Sequence, residues 1–300
     1  MDRATFVTLA EPGTGALQAL LLARSIREFG GTVAQEPIWA LVPDGGRRIT
    51  RLVAAEFEEL GVRLQPFPID ARGREIPFAV KAAAAAHAEA LVDTDLLVWL
   101  DPDVLVVGGA GEFLIGDNTA LGYRPVHHRL IGMDADAPMD GFWDLVLMEC
   151  GVSENRLFRM YTNVGERIKA YFNAGVFAVR PERGLLQTWN QTLLTLARQP
   201  AVTAYTRHET IYETFLHQVA WTAVLLRHLE RSEMTELSPA INYPLHLHEQ
   251  IPAGRRAMSL QRLVAVRTEN MLLDPEWQER MPILGPLAPW LQTQPLLASR

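Results

Sequence analysis

Two aspartates, Asp101 and Asp103, flank Pro102 inside the run LVWLDPDVLVV, residues 97–107, with apolar letters on both sides. An unpaired carboxylate taken out of water either costs several kcal/mol or neutralises itself, so the pair calls for a compensating partner. At i and i+2 on a strand end both carboxylates project to one side, and the proline fixes a turn that can bring them onto one hard cation. Mg²⁺ or Mn²⁺ held this way typically brings a diphosphate with it. The same Asp-x-Asp pattern recurs at Asp93 and Asp95 and at Asp134 and Asp136, in polar loops. Only the middle pair follows one apolar strand and precedes another, which favours a metal role there over a solvated turn or a helix cap.

The elements that must position these acids alternate. A buried strand is expected over residues 5–10, then a Pro-Gly turn at Pro12, Gly13 and Gly15, and a helix from Ala16 to Phe29 closed by Gly30 and Gly31. The strand PIWALV ends at Pro43, and a helix with the apolar stripe Leu52, Val53, Phe57 and Leu60 follows. A short strand near Val62–Leu64 precedes an alanine-rich helix, Phe78–Leu91, that feeds the aspartate-bearing strand. This βαβα order predicts an α/β fold with a mostly parallel sheet flanked by helices, in which ligands collect at the carboxyl ends of the strands. Residues 108–170 show no sustained period, and a connection of that length is usually functional or holds short helices. Order returns with the strand YFNAGVFAV, a helix bearing Leu186, Trp189, Leu193 and Leu196 on one face, and a helix from Glu209 to Leu229. Pro275, Pro282, Pro286, Pro289 and Pro295, beside Trp277 and Trp290, predict an extended tail.

Composition narrows the partners. Lysine and arginine total 28 against 35 acids, a net charge of −7, so the field of the molecule repels a phosphate backbone and nucleic acid is not an expected partner. The single cysteine, Cys150, excludes an internal disulfide framework and suits a reducing compartment. No stretch reaches the roughly 18 apolar residues of a spanning helix, so the expectation is a cytoplasmic chain with no transmembrane segment. The length of 300 residues suits one α/β domain: a nucleotide-binding half over 5–107, an acceptor and sugar half over 108–245, and a tail over 246–300.

A strand followed by Asp-x-Asp has two readings. In phosphohydrolases that form an aspartyl-phosphate, the first acid is a nucleophile, but that motif normally opens its domain, and the later acidic motif, sought at Gly116 and Asp117, lacks its second acid. The other reading is a nucleotide-sugar transferase. FVTLA with GALQALLLARSIREFGG resembles the opening of the family-eight, glycogenin-like glycosyltransferases; LVWLDPDVLVV is similar to their metal-binding strand, YFNAGVFAVRP to their sugar-contacting strand, and TFLHQVAW to the helix that carries an aspartate-glutamine pair. The resemblance spans residues 5–245 and implies a GT-A fold, a nucleoside-diphosphate sugar donor of the UDP-sugar kind, an acceptor it does not identify, and retention of anomeric configuration. A sugar-nucleotide-binding protein of the same fold with weak or no turnover is the alternative from another functional class.

By resemblance Asp101 and Asp103 hold the metal, Mn²⁺ or Mg²⁺, with Asp103 also counted as catalytic. Lys81, a cation in the first turn of a helix where the macrodipole disfavours it, matches a donor-contacting lysine; a nearby phosphate would explain it, and an exposed lysine is the bland reading. Asn173, Ala174 and Gly175 offer an amide and then almost no side chain, which admits a sugar ring, or else an Asx turn. Gln218 corresponds to the glutamine beneath the anomeric carbon, with ordinary packing through a backbone hydrogen bond as the alternative. His217 stands where the family has aspartate, which favours front-face attack by the acceptor; an inverted product would point instead to Glu209 or Glu213 as base. Thr8 and Ala10 are expected to meet the nucleotide base through the backbone. The family's third metal ligand is a late histidine. His246 and His248 share a face if extended and are either its counterpart or, as the favoured reading, two surface histidines; by position Arg267 or Glu269 sits closer, and the lysine that follows in the family is missing. Arg124, His127, His128, Phe142 and Trp143 would form the acceptor wall or simply be structural. The tail closes over the donor, packs on a second subunit of a homo-oligomer or touches a membrane; the sequence leaves all three open.

Overall fold

In the computed structural model, residues 3–274, 276–280 and 287–294 are described. In chain order the first half runs β1 (Ala4–Leu9), α1 (Thr14–Phe29), β2 (Ile38–Pro43), α2 (Arg51–Glu59), β3 (Val62–Phe67), α3 (Ala71–Glu75), α4 (Ala79–Glu89), β4 (Leu96–Leu100) and β5 (Val104–Val106). The middle holds β6 (Leu121–Pro125), α5 (Gly141–Glu149), β7 (Arg159–Tyr161), β8 (Arg167–Lys169), β9 (Phe172–Val179), α6 (Leu185–Leu196), α7 (Pro200–His208) and α8 (Thr210–His228). The last part holds β10 (Met234–Glu236), β11 (Tyr243–Pro244), β12 (Ala265–Arg267), α9 (Trp277–Arg280) and α10 (Leu287–Gln292).

The main sheet has seven strands in the order β10-β6-β9-β4-β1-β2-β3. β1 lies parallel to both β2 and β4, and β2 parallel to β3, whereas β9 runs antiparallel to β4 and β6. Alternation along β4 explains why it reads as an unbroken apolar run. Leu97 and Trp99 enter the layer under α4, α6 and α8, while Leu96, Val98 and Leu100 enter the layer under α1 and α2, so both faces are covered. The expected mostly parallel sheet between helical layers is the observed one. The antiparallel β9 matters most for function, because its amino-terminal residues meet the carboxyl end of β4: Leu100 pairs with Val176, and the Asp101 N–H donates to the Gly175 carbonyl at 2.8 Å.

Two stretches carry more structure than their sequence pattern shows. Residues 108–170, without a period in sequence, contain β6, α5 and the β7-β8 hairpin. Phe142 and Trp143, weighed between an acceptor wall and a structural role, are wholly buried in α5, whose start is capped by the Asp140 carboxylate, and so take the structural one. The tail is not simply extended: α10 lies against α1 through an edge-to-face contact of Trp290 with Phe29 and a hydrogen bond from Arg24 to Gln294. Trp277 is buried in the same small cluster as Leu21 and Leu291. Pro275, Pro282, Pro286 and Pro295 lie outside the described residues. Among the described residues, no helix is long and apolar enough to cross a membrane.

One buried acid ties together two helices of the same layer. The N-cap of α6 is Gly184, which has no side chain to cap the helix, and Glu89 at the end of α4 takes over: its carboxylate accepts from the Leu186 and Gln187 N–H groups at 2.9 and 2.8 Å. Burial raises the Glu89 carboxyl above its ordinary range, and the two backbone donors oppose that rise. Glu89→Ala is expected to lower stability by about 2–3 kcal/mol, because one buried and one partly buried N–H group lose their acceptor. Urea unfolding of the variant and wild type at neutral pH checks this, and a loss below about 0.5 kcal/mol would contradict the capping role.

Candidate active site

The Asp-Pro-Asp turn sits at the carboxyl end of β4 and is closed by the Val104 N–H donating to the Asp101 carbonyl at 3.0 Å. β12 pairs antiparallel with β5, placing Arg267 opposite Val104 and so next to the turn. Thr268 ties the two together, its N–H and hydroxyl both donating to the Asp103 carbonyl at 2.9 and 2.8 Å. The apolar letters on either side of the aspartates therefore belong to two different sheets.

Asp101 is compensated on both oxygens. Oδ1 accepts from the Trp99 indole at 2.9 Å, and Oδ2 accepts from Lys81 Nζ at 2.9 Å and from Arg267 Nη1 at 3.1 Å. Burial disfavours its charge, yet Lys81, Arg267 and the indole outweigh burial and hold the Asp101 carboxyl below the usual carboxylate range. Arg267 also reaches Asp103 through Nη2 at 3.2 Å and Glu269 through Nε at 2.9 Å. Burial alone would make this guanidinium less basic, but three carboxylates more than offset it and keep it charged. Asp103 is less well served: Oδ1 is buried without a partner, and burial, opposed by Arg267 and reinforced by Asp101 and Glu269, pushes its carboxyl up to about 6. Three acids face two cations, which leaves one negative charge in excess when Asp103 is ionised.

Lys81 lies in the first turn of α4, and its partner there is Asp101. The residue before that helix, Phe78, adopts a left-handed backbone at φ 61°, an unusual conformation for an aromatic residue. Its ring stacks on His217 with centroids 4.2 Å apart and lies 5.2 Å from Lys81 Nζ. The His217 side chain is buried and bonded through Nδ1 to the Thr214 carbonyl at 2.9 Å. Burial first, then Lys81, holds its imidazole well below its ordinary value and therefore neutral.

α8 supplies what β9 lacks. The β6–β9 register shifts between Tyr123 and Pro125, and the N–H groups at the start of β9 turn to α8 instead: Phe172 donates to the Thr222 hydroxyl at 3.1 Å and Ala174 to Gln218 Oε1 at 3.2 Å. Asn173 Oδ1 accepts from the Gly175 N–H at 2.8 Å, an Asx turn. Gly175 is small for a definite reason, since a Cβ there would lie 2.6 Å from Asp101 Oδ2 and would collide with Arg267 Nη1.

A pocket of about 220 Å³ gathers Lys81, Asp101, Asn173, Gly175, Gln218 and Arg267, with Phe78, His217, His127, His128, His246 and Glu269 around them. Larger cavities, of about 500 Å³ beside β7 and β11 and about 580 Å³ beside α2 and β3, also hold charged groups but do not lie at the carboxyl end of β4. Thr8 and Ala10 stand at the carboxyl end of β1, next to β4, and do not line the pocket. Neither does His248, which is bonded to the Tyr243 hydroxyl at 2.8 Å. Arg124, considered for the acceptor wall, is buried and paired with Glu236 at 2.9 Å, whereas His127 and His128 do reach the pocket.

A divalent ion on Asp101, Asp103, His246 and His248 does not fit these residues. The guanidinium of Arg267 already bridges the two carboxylates, His248 points to Tyr243, and among the described residues no group of three or more His, Cys, Asp or Glu is arranged to hold a metal. Phe78 was not singled out as a site residue by the sequence, and Arg267 and Glu269 only by their position; the signals were an aromatic before a helix and a charged pair closing a short strand.

No curated protein matches the chain in sequence. The family described as the Rhodobacterales glycosyltransferase domain matches residues 6–228. Among solved structures, the fold is similar to the apo form of WbbM, a bifunctional glycosyltransferase, with a TM-score of 0.60 and 13% identity over 99% of this chain and 51% of that one. The chain thus spans about half the length of WbbM. An active-site mutant of LgtC is similar with a TM-score of 0.50 and 15% identity, covering 88% of this chain and 86% of that one. The glycosyltransferase GlyE of Streptococcus pneumoniae TIGR4 has a TM-score of 0.50 and 12% identity, covering 94% and 61%. The fold is that of the GT-A glycosyltransferases.

The raised Asp103 carboxyl has a stability signature. Between the ordinary carboxylate pKa of about 4 and about 6, the folded protein retains a proton that the unfolded chain has released, so this group's contribution falls as pH rises through that window. Asp103→Asn cannot ionise and keeps an oxygen for Arg267. Its melting temperature relative to wild type is expected to climb between pH 4 and pH 7, and a flat or falling difference in thermal scans would contradict the assignment.

Proposed function

The chain belongs to the Rhodobacterales glycosyltransferase domain family, and from that premise we propose that it moves a sugar from a nucleoside-diphosphate donor, a UDP-sugar, to an acceptor hydroxyl with retention of configuration. The observation that carries this reading is the meeting of Lys81, Asn173, Gly175, Gln218 and Arg267 at the carboxyl end of β4, where α/β sheets place their ligands. Likeness to the glycogenin-like family is part of the proposal, as is the use of residues 1–300 as one catalytic unit.

In this reading the leaving diphosphate lies against Lys81 and Arg267, whose remaining N–H groups stabilise the negative charge that develops as the glycosidic bond breaks. The sugar ring lies over Asn173 and Ala174. Gln218, fixed by the Ala174 N–H, sits beneath the anomeric carbon and supports positive charge on the ring in the transition state. The neighbouring position holds the neutral His217, so α8 offers no carboxylate there as nucleophile, and the acceptor attacks from the face the diphosphate leaves. Thr8 and Ala10 contribute to the base through the end of β1. The Mn²⁺ or Mg²⁺ expected from the sequence has no part in this mechanism, because the Arg267 guanidinium lies between the two carboxylates that would hold it.

Incubation with a panel of UDP-sugars should release UDP with one of them, and the anomeric configuration of the product, read by NMR, should match the donor's. Absence of both turnover and donor binding across the panel would contradict the UDP-sugar reading, and an inverted product would contradict retention. Gln218→Ala is expected to lower kcat about 10–100-fold with the donor KM changed less than about threefold. A purely structural glutamine would instead lower the melting temperature and leave kcat per folded molecule unchanged.

A further inference from the structure

We propose that Arg267 is the permanent counter-ion of the Asp101–Asp103 pair, taking the place of a divalent cation, so that this protein binds its donor diphosphate without metal. The inference rests on the donor reading above, and its metal arm is independent of it.

The geometry carries the case. A bridging ion would have to sit between the two carboxylates, and that position is filled by the two Nη atoms of one guanidinium, 3.1 Å from Asp101 Oδ2 and 3.2 Å from Asp103 Oδ2. The arginine is held there from four sides. Its backbone pairs with Val104 in β5, its Nε donates to Glu269 at 2.9 Å, the following Thr268 is bonded twice to the Asp103 carbonyl, and Gly175 leaves room that any Cβ would take away. A guanidinium with three carboxylate partners in a buried site is costly to move, because its departure would leave the acids without their shared cation. Asp101 is also bonded on both oxygens, Oδ1 by the Trp99 indole and Oδ2 by Lys81 and Arg267, which leaves it poorly placed to become a metal ligand.

The remaining donors define what the pocket takes. A guanidinium has five N–H groups and an ammonium three. Arg267 uses one on each of Glu269, Asp101 and Asp103, and Lys81 uses one on Asp101, so both cations keep N–H groups for a diphosphate in the pocket they line. Planar guanidinium suits the paired oxygens of a phosphate better than a point charge does.

Two titrations test this on the full-length protein. Electron paramagnetic resonance of Mn²⁺ added to the free wild-type chain should show no stoichiometric bound ion, and calorimetry should give the same UDP affinity within about twofold in EDTA and in Mn²⁺. Arg267→His, which removes the bridging cation and offers an imidazole beside both acids, should create a bound Mn²⁺ and make UDP binding at least about tenfold weaker in EDTA. One Mn²⁺ per wild-type chain, or a tenfold loss of wild-type UDP affinity in EDTA, would overturn the proposal. The wild-type Mn²⁺ arm decides the matter even where the variant does not fold. Failure to bind UDP in either buffer, with no bound Mn²⁺, would refute the donor reading while upholding the arginine as counter-ion.

Discussion

A carboxylate at the end of a fully buried strand must be matched by positive charge, and much of the architecture around Asp101 follows from that requirement. β4 is covered on both faces, so the chain leaves it inside the protein rather than at the surface. The cations arrive from distant parts of the sequence: Lys81 from the first turn of α4, twenty residues earlier, and Arg267 from β12, 166 residues later. A lysine placed where the helix dipole disfavours it becomes intelligible once its partner is an acid 2.9 Å away.

The scaffold spends several unusual features on this alignment. Phe78 takes a left-handed backbone directly before α4 and braces its ring against His217, so the helix that carries Lys81 and the helix that carries Gln218 meet through one aromatic stack. Glu269, also at positive φ, turns back to hold Arg267. β9 reverses direction relative to β4, which brings the small residues Ala174 and Gly175 to the same place as the acids, and α8 satisfies the N–H groups that the irregular β6–β9 pairing leaves over. Since backbone strain of this kind persists where surrounding structure over-determines it, its location at the pocket is consistent with a role in positioning.

What the sequence made legible was whatever depends on short-range pattern. β1, α1, β2, α2 and β4 follow from apolar periodicity and glycine or proline stops; Asp101 stood out by residue type, and Lys81, Asn173, Gly175 and Gln218 by residue type together with a family resemblance, and they do come together. The hairpin of β7 and β8 and the short β6 were hidden because three to five residues with mixed polarity have no readable period. The partner of the acid pair is not legible locally for a different reason. Asp-x-Asp states that positive charge is needed and says nothing about its source; a divalent ion and an arginine 166 residues away satisfy the same local pattern. His248 lies outside the pocket, bonded to Tyr243 five residues before it, a contact that depends on how the chain folds back after β11.

The most direct test of the central claim is a crystal grown in millimolar MnCl₂ and measured at the manganese absorption edge. An anomalous difference map with no peak between Asp101 and Asp103, and with the Arg267 guanidinium lying between them, is the predicted result. A peak within bonding distance of both carboxylates, with the arginine displaced, would contradict it.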